Sequence, residues 1–268
     1  LHDALPISFF LKHNFLFNRW NLNVGVRTFK NFDDADRIRF LPFINAKVEL
    51  NKHWLLYASW NNARRTPTFT ELFYKSPTNE GNTNLKSEFT STLSLSAKYR
   101  SKGVSAEFST YYTRGKDMID WVMYDEEDLF HSANFQLDNM GFQVNNGIFF
   151  DEFFDCIPTK LTLGYHFIHQ DRHDEIPIFK SNYALEYLKH KFIAQFTIEP
   201  VKRLELQLSY RLCDRNGGYI AYEGKKNTGV LKDYEPYGLV DFKMKYTFRK
   251  IDVFGEINNL FDINYFDY

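Results

Sequence analysis

The sequence lacks any apolar run long enough to form a membrane-spanning helix, which requires about 20 consecutive, mostly apolar residues. It also lacks an excess of charge of either sign, since 33 basic and 34 acidic side chains leave a formal net charge of -1. A near-neutral chain gives no reason to expect nucleic acid as a partner. The two cysteines, Cys156 and Cys213, are too few for a disulfide framework and lack the spacing of metal ligands. We therefore expect no transmembrane helix, no nucleic-acid partner and no metal or other cofactor.

Catalytic motifs and an export signal are also missing. No Ser-His-Asp order, glycine-rich phosphate loop or pair of carboxylates stands out, so we predict no catalytic residue and do not expect an enzyme. Residues 1–8 (LHDALPIS) have neither a charged start nor a long apolar segment and do not resemble a signal peptide. Because they also do not fit the pattern that follows, we interpret residues 1–8 as a non-native leader. The alternative is a genuine loop before the first strand.

What the sequence has in abundance is aromatic side chains. Phe and Tyr number 28 and 17, against 13 Gly and 8 Pro, and aromatic residues make up 18% of the chain. A transmembrane β-barrel needs many such side chains, because one face of each strand meets lipid and both rims carry a girdle of aromatic rings. The other face of each strand meets water, so the sequence of a barrel can have a polar mean hydropathy.

Strict alternation of apolar and polar residues recurs from one end of the chain to the other. In residues 203–212, Leu and Tyr occupy every second position, and Arg, Glu, Gln and Ser occupy the positions between. Residues 240–248 repeat the pattern with Val, Phe, Met and Tyr against Asp, Lys and Thr. Successive side chains of a β-strand point to opposite faces, so these segments predict strands with one apolar and one polar face. We expect the apolar face to meet lipid.

The connections between these segments are of two kinds, which alternate. Short turns are predicted near residues 18–19, 51–53, 101–103, 151–158, 200–202 and 249–250. Long polar connections are predicted near residues 30–39, 65–87, 125–131, 171–186 and 213–235. Outer-membrane barrels have short periplasmic turns and long outer loops, whereas a soluble propeller or sandwich, the alternative, does not need this asymmetry. The pattern predicts an all-β fold, a transmembrane antiparallel β-barrel with about twelve strands in meander order.

Three stretches combine turn-forming and aromatic residues in a distinctive way, namely residues 60–74 (WNNARRTPTFTELFY), residues 81–88 (GNTNLKSE) and residues 259–265 (NLFDINY). Together they resemble the family of TonB-dependent outer-membrane receptors, of the cobalamin and siderophore type. The first is similar to a strand-to-loop signature of the family, the second to the start of the following strand, and the third to an element before its last strand. The positions that carry the resemblance are Arg65, Pro67, Phe69, Glu71, Leu72, Gly81, Asn82, Leu85, Glu88, Asn259, Leu260, Phe261, Asp262 and Tyr265. Turn-forming residues dominate these stretches, so we expect them to shape the barrel rather than to contact a ligand.

The resemblance implies a barrel of about 22 strands with a plugged lumen. Residues 9–268 would then be a C-terminal part of that barrel, truncated at both ends, with the plug domain, the upstream strands and the last strand absent. The resemblance also implies a location in the outer membrane of a Gram-negative bacterium, in contact with lipid and lipopolysaccharide. TonB would be a partner through the absent N-terminal region, and a surface-exposed substrate-binding lipoprotein is a further partner that the resemblance allows.

As a function, the resemblance implies TonB-driven active uptake of a scarce small-molecule nutrient. The compact loops and the form RRTPTFTELFY (residues 64–74) look most similar to the cobalamin and iron-siderophore receptors of the family. Of these we expect cobalamin, with a ferric siderophore or haem as the alternative and a passive porin or barrel enzyme as alternatives of a different class. Flat amphipathic rings at the outer loops can grip a large ligand. The aromatic residues that lie in or beside predicted outer loops, and that we interpret as ligand-binding, are Phe73, Tyr74, Tyr124, Tyr219 and Tyr222. The competing interpretation places these rings in the outer aromatic girdle.

Overall fold

The chain is built almost entirely of β-strands in the computed structural model, which describes residues 7–30, 38–125, 129–173, 177–182, 185–224 and 226–265. The strands, in chain order, are β1 (Ile7–Leu16), β2 (Trp20–Lys30), β3 (Arg39–Glu49), β4 (Trp54–Arg65), β5 (Asn79–Glu80), β6 (Glu88–Ser101), β7 (Val104–Met123), β8 (Phe130–Phe149), β9 (Thr159–Arg172), β10 (Lys180–Ser181), β11 (Leu188–Val201), β12 (Leu204–Arg215), β13 (Gly218–Glu223), β14 (Lys226–Asp233), β15 (Tyr237–Phe248) and β16 (Ile251–Ile257). They are accompanied by a short helix, α1 (Phe69–Phe73), and a 3₁₀ turn (Phe150–Glu152). Within the described ranges, neither helical segment has the length or apolar content needed to cross a bilayer. Of residues 1–8, which we interpret from the sequence as a non-native leader, residues 1–6 lie outside the described residues. Strand β1 begins at Ile7, within residues 1–8.

Twelve strands follow one another in a single antiparallel meander, in the order β1-β2-β3-β4-β6-β7-β8-β9-β11-β12-β15-β16. Each strand pairs with the next along this path, and β1 and β16 form its two edges. The predicted fold class, strand number and strand order are thereby confirmed. The strands β5 and β10 add two residues each to this sheet, and β13 and β14 pair with each other as a separate hairpin.

The register of the sheet sorts the side chains into an apolar and a polar face, because directly opposed residues on neighbouring strands share a face. One row on the apolar face runs Trp20, Val48, Leu56, Ala97, Phe108, Val144, Tyr165, Phe192, Leu212 and Gly238. The adjacent row on the polar face runs Asn21, Lys47, Tyr57, Ser96, Ser109, Gln143, His166, Lys191, Cys213 and Tyr237. Large side chains on the apolar face stay exposed, such as Phe108 at 46% and Leu208 at 47%. A lipid-facing surface has this character.

Short and long connections alternate along most of the meander, so the long ones gather at one end of the sheet, which we call the outer end. The two longest join β4 to β6 (residues 66–87) and β12 to β15 (residues 216–236). The predicted alternation is wrong at one place, because the connection between β7 and β8 (residues 124–129) is shorter than the turn between β8 and β9 (residues 150–158). The physical reason is that β7 and β8 are each 20 residues long and continue outward beyond the segment with clear alternation.

A β-bulge divides the β7–β8 hairpin into an inner and an outer part. The register shifts between Gly115 and Met118, and Asp117 adopts left-handed backbone with φ of 54°. Before the bulge, β7 pairs with β6 and β8 pairs with β9. Beyond it, β7 pairs with β10 and β8 pairs with β5, so the hairpin has exchanged its neighbours. The strands β5 and β10 thus cover the two edges of the outer part of the hairpin.

Buried apolar residues lie at the outer end rather than in the middle of the sheet. Val122, Phe135 and Leu137 form the cluster, with exposures of 0%, 3% and 6%. Side chains from the hairpin and from the β9–β11 connection pack against it, namely Met118, Ala133, Ile178 and Leu185. This small core gives the outer loops a rigid support.

Candidate ligand-binding mouth

Helix α1 begins the connection between β4 and β6, and its sequence explains where it starts. Pro67 has no backbone N–H to donate, which suits the point where the chain leaves the strand ladder. Thr68 is the N-cap, and its hydroxyl accepts a hydrogen bond from the Glu71 N–H at 3.2 Å. In return, the Glu71 carboxylate accepts a hydrogen bond from the Thr68 N–H at 2.6 Å. This capping box satisfies donors at the helix start and fixes the Glu71 side chain.

Arg65, the last residue of β4, lies between two carboxylates. Its guanidinium donates to both oxygens of Glu71, at 2.9 and 3.0 Å, and to both oxygens of Glu88, at 2.8 and 2.7 Å. Glu88 is 8% exposed and also accepts a hydrogen bond from the Ile119 N–H at 2.8 Å. We name Arg65, Glu71 and Glu88 the arginine clasp. It ties both ends of the β4–β6 connection to each other and to β7.

The clasp holds the carboxyl group of Glu71 in its charged form. Burial on its own would raise the pKa of Glu71, but hydrogen bonds from Arg65 and Thr68 and the positive charge of Arg65 outweigh burial and lower the pKa. Hydrogen bonds between charged groups in bidentate geometry are stronger than those between neutral groups. The clasp therefore stabilises the position of α1 at neutral pH.

The second family-like stretch folds back onto the first. The Gly81 N–H donates to the Tyr74 carbonyl at 2.7 Å, and the Asn82 N–H donates to the Glu71 carbonyl at 3.0 Å. A Cβ atom at Gly81 would lie 2.9 Å from the carbonyl carbon of Leu72, so this close approach of two backbones requires glycine. The first two stretches thus form one structural unit, which agrees with a role in shaping the mouth.

The third family-like stretch, residues 259–265, closes a turn after β16. Asn259 has left-handed backbone with φ of 53°, and its side-chain amide makes two hydrogen bonds with the backbone of Ile263, both at 2.9 Å. The ring of Tyr265 stacks on Tyr237 at the start of β15, with centroids 4.5 Å apart. The structure places this stretch against β15, whereas the first two stretches lie by β4, β6 and β7.

The remaining positions of the resemblance serve turns or lie at the surface. The Leu260 N–H donates to a carbonyl of β15 at 2.7 Å, and Asp262 has left-handed backbone with φ of 51°. The Leu85 N–H donates to the Asn82 carbonyl at 3.4 Å. Phe261 is exposed. None of these contacts points to a ligand.

Three of the five aromatic residues predicted to bind ligand lie together at the outer end. Phe73 and Tyr74, at the end of α1, are 53% and 48% exposed, and Tyr124, just beyond β7, is 37% exposed. The ring of Tyr74 meets Trp121 of β7 edge-on, with centroids 6.4 Å apart. The ring of Tyr124 stacks on His131 of β8 at 6.1 Å. The outer part of the β7–β8 hairpin therefore supports these exposed rings.

The other two predicted residues belong to the β13–β14 hairpin. Tyr219 is partly buried, and its ring lies 5.8 Å from that of Tyr234, which is itself buried. The Tyr234 hydroxyl donates to the Glu186 carboxylate at 3.2 Å, and burial raises the pKa of Glu186. Tyr222 lies on β13, but its side chain is outside the described part of the structure. Tyr219 thus packs against Tyr234 within the outer loops, and its ring is not fully exposed to a ligand.

Three residues that sequence reasoning missed, Glu80, Trp121 and His131, also contribute to the mouth. A cavity of about 400 Å³ opens beside them, lined by Glu80, Gly81, Asn82, Thr83, Tyr124, His131, Ser132 and Ala133. The Nδ1 atom of His131 lies 3.9 Å from the Glu80 carboxylate, which also accepts a hydrogen bond from Lys75 at 2.7 Å. Among the described residues, no three His, Cys, Asp or Glu side chains are grouped to hold a metal ion. The cavity suits an organic ligand that both stacks and hydrogen-bonds.

The family model for the β-barrel of TonB dependent receptor-like proteins matches residues 4–260 of the chain. No curated protein gives a significant match. Similar solved structures include the siderophore receptor PirA from Pseudomonas aeruginosa, with 18% identity and a TM-score of 0.70 over 97% of this chain and 43% of that one. They also include the copper transporter OprC, with 17% identity and a TM-score of 0.74 over 97% of this chain and 42% of that one.

A third similar structure is the FrpB iron transporter from Neisseria meningitidis, with 15% identity and a TM-score of 0.70. The alignment covers 97% of this chain and 41% of that one. At such identities the likeness concerns the fold. The chain thus spans about two fifths of the length of the structures it matches.

Proposed function

Because the chain belongs to the TonB-dependent receptor β-barrel family, we propose that it forms part of the wall and outer mouth of an outer-membrane receptor for a scarce nutrient. Side chains along each strand of such a barrel point alternately to lipid and to a wet lumen. The apolar and the polar face of this sheet match that pattern. The outer end, with its long loops, would face the surroundings of a Gram-negative cell. TonB, and any surface lipoprotein that delivers substrate, would act on the receptor of which this chain is a part.

The observation that carries this proposal is the combination of exposed rings and rigid support at the mouth. Phe73, Tyr74 and Tyr124 project from segments that the arginine clasp and the outer hairpin fix. Rings on a fixed scaffold bind with little loss of conformational entropy. An aromatic girdle alone would not require the charged clasp beside these rings, so the arrangement supports recognition of a ligand.

As substrate we propose a ferric siderophore, bound by stacking on these rings and by hydrogen bonds from the polar cavity. The sequence on its own favours cobalamin, but the similar solved structures are a siderophore receptor, an iron transporter and a copper transporter. They lend support to the siderophore alternative and none to cobalamin. Membership of a receptor family also argues against the passive porin and the barrel enzyme considered above.

The proposal is tested by ligand binding to the full-length receptor that contains this chain. Tyr74 and Tyr124 are replaced by Ala together, and affinities for a panel of ferric siderophores and for cobalamin are measured by fluorescence quenching. Each anchoring ring that is lost should weaken binding by about 1 kcal/mol or more, so the double variant should bind the cognate siderophore roughly 25-fold more weakly.

The matched control is the double variant Phe153→Ala and Phe154→Ala, because these rings are more exposed than those of Tyr74 and Tyr124 but lie at the short-turn end. It should bind the ligand as the parent does. Unchanged siderophore affinity in the Tyr74 and Tyr124 variant would remove these rings from the site. If the receptor binds cobalamin and none of the siderophores in the panel, cobalamin would replace the siderophore as the proposed substrate.

A further inference from the structure

Two phenylalanine rings lie parallel to each other on the polar face of the sheet. The ring centroids of Phe10 on β1 and Phe43 on β3 are 5.5 Å apart. The ring of Phe43 crosses β2 at Gly25, where a Cβ atom would collide with it, so glycine is required there. Phe10 is nevertheless 56% exposed. A stacked pair that stays open on a wet face offers a contact for a further flat ring.

Two basic side chains flank these rings. The guanidinium of Arg27 lies 5.9 Å from the centroid of the Phe10 ring, and Lys12 lies two residues along β1 on the same face. Both basic side chains are exposed. Neither has an acid opposite it on the adjoining strand, because Arg27 opposes Phe10 and Lys12 opposes Gly25. We name Phe10, Lys12, Arg27 and Phe43 the wall cluster.

Other lysines of the polar face are matched by carboxylates. Lys98 pairs with Glu107 at 3.1 Å, and Lys47 pairs with Glu49 at 2.8 Å. Within the described strands β1–β4, Glu49 is the single carboxylate, and it lies at the inner end of β3. The wall cluster therefore carries positive charge that an anionic ligand would match.

The wall cluster lies inward of the arginine clasp. Phe43 is paired with Asn61 of β4, and Arg65 follows four residues outward on the same face, roughly 13 Å away at the rise of a β-strand. The Asn61 side chain donates to the side-chain oxygen of Asn45 at 3.4 Å, so uncharged amides adjoin the cluster on its inner side. A ligand that enters past the clasp would meet these rings and cations next.

We propose that the wall cluster is a second contact for the transported nutrient and selects a ferric siderophore with catecholate groups. A catecholate is a flat ring that bears anionic oxygens, so its ring can stack on Phe10 while its oxygens accept hydrogen bonds from Arg27 and Lys12. A ferric hydroxamate complex offers neither the ring nor the negative charge. The inference rests on the proposed function, because it names the class of siderophore that the receptor would carry.

The test uses the full-length receptor in detergent and two probes, an anionic ferric tris-catecholate and an uncharged ferric tris-hydroxamate, each titrated by calorimetry. The wall variant combines Phe10→Leu with Arg27→Gln. The matched control combines Tyr57→Leu with Lys47→Gln, which also removes a ring and a directly opposed cation, but from the inner end of the polar face. The melting temperature is measured on the same preparations.

We expect the parent and the control to bind the ferric catecholate more tightly than the ferric hydroxamate. Loss of the ring and loss of the cation should each weaken catecholate binding about 5-fold, so the wall variant should lose roughly 25-fold. Hydroxamate binding should not change. If the wall variant fails to insert, Lys12→Gln, at an exposed position, tests the charge alone and should weaken catecholate binding about 5-fold.

Equal binding of the two complexes by the parent, or an equal loss of catecholate affinity in the control, would overturn the proposal. So would a wall variant with a lower melting temperature and unchanged affinities, which would assign the cluster to a contact with the plug of the receptor. A parent that binds the hydroxamate alone would overturn the catecholate assignment and leave the proposed function standing. A parent that binds neither complex would count against the siderophore itself as substrate, so the two failures are distinguishable.

Discussion

Replacement of Arg65 by Ala should release the β4–β6 connection from the barrel wall. The substitution removes four charge-assisted hydrogen bonds and leaves the carboxylates of Glu71 and Glu88 without their shared cation. The side chains of Glu71 and Glu88 are only 13% and 11% exposed, so their charges are poorly solvated. Loss of one partner from a buried pair typically costs about 3–5 kcal/mol.

The expected magnitude is smaller here because the Arg65 side chain is 42% exposed and water screens the clasp. We expect a local loss of about 2 kcal/mol, which would raise the open population of the connection roughly 30-fold. The matched control is Lys75→Ala in the same connection. Lys75 and Glu80 form an ion pair with side chains 77% and 41% exposed, which water screens, so exchange of residues 66–88 in Lys75→Ala should stay close to that of the parent.

Hydrogen–deuterium exchange on the full-length receptor measures this opening directly. Peptides that cover residues 66–88 should exchange faster in Arg65→Ala by about the stated factor, while peptides from β2 and β3 should exchange as in the parent. Faster exchange throughout the sheet would mean that the clasp supports the whole barrel wall. Unchanged exchange in residues 66–88 would refute the reasoning.

Three further perturbations have defined outcomes. Because the pKa of Glu71 is lowered in the folded state, its contribution to stability is present above its unfolded pKa and is lost as the pH falls through the folded value, so the protection of residues 66–88, corrected for the intrinsic exchange rate at each pH, should fall in acid in the parent and less in Glu71→Gln. Asn259→Ala should destabilise the turn after β16 by about 1–2 kcal/mol, measured as faster local exchange, and Asn259→Gly should lose less because glycine tolerates the left-handed backbone. Gly81→Ala should cost about 1–3 kcal/mol because its Cβ would crowd the Leu72 backbone, and an unchanged melting temperature would contradict the close approach.

The sheet could be predicted because apolar and polar residues alternate within each strand, a signal that is local in the sequence. Residues 203–212 and 240–248 place their apolar members on one face, and the register of β12 with β15 keeps Leu206 opposite Met244 and Gln207 opposite Lys243. Turn positions were predictable too, since short polar breaks interrupt the alternation. These signals are local in the sequence, and the meander order follows when each strand pairs with the next.

The mouth was predictable only in part, because its geometry depends on contacts between distant segments. The shift between Gly115 and Met118 leaves no clear signal in the sequence, yet it exchanges the neighbours of the outer hairpin and brings Glu80 beside His131. Tyr219 looks in the sequence like any other loop tyrosine. Its packing on Tyr234 follows from the fold of a hairpin against a different connection.

Cysteine labelling on intact cells tests most directly the central claim, that the long loops form an outward-facing mouth that binds a nutrient. In a full-length receptor with Cys156→Ser, which removes the exposed native thiol, Lys75→Cys and Lys102→Cys are introduced separately and treated with a membrane-impermeant maleimide. We predict that position 75 is labelled on intact cells, more slowly when ferric siderophore is bound, and that position 102 is labelled only after the outer membrane is permeabilised. Labelling of position 102 but not of position 75 on intact cells would contradict the account.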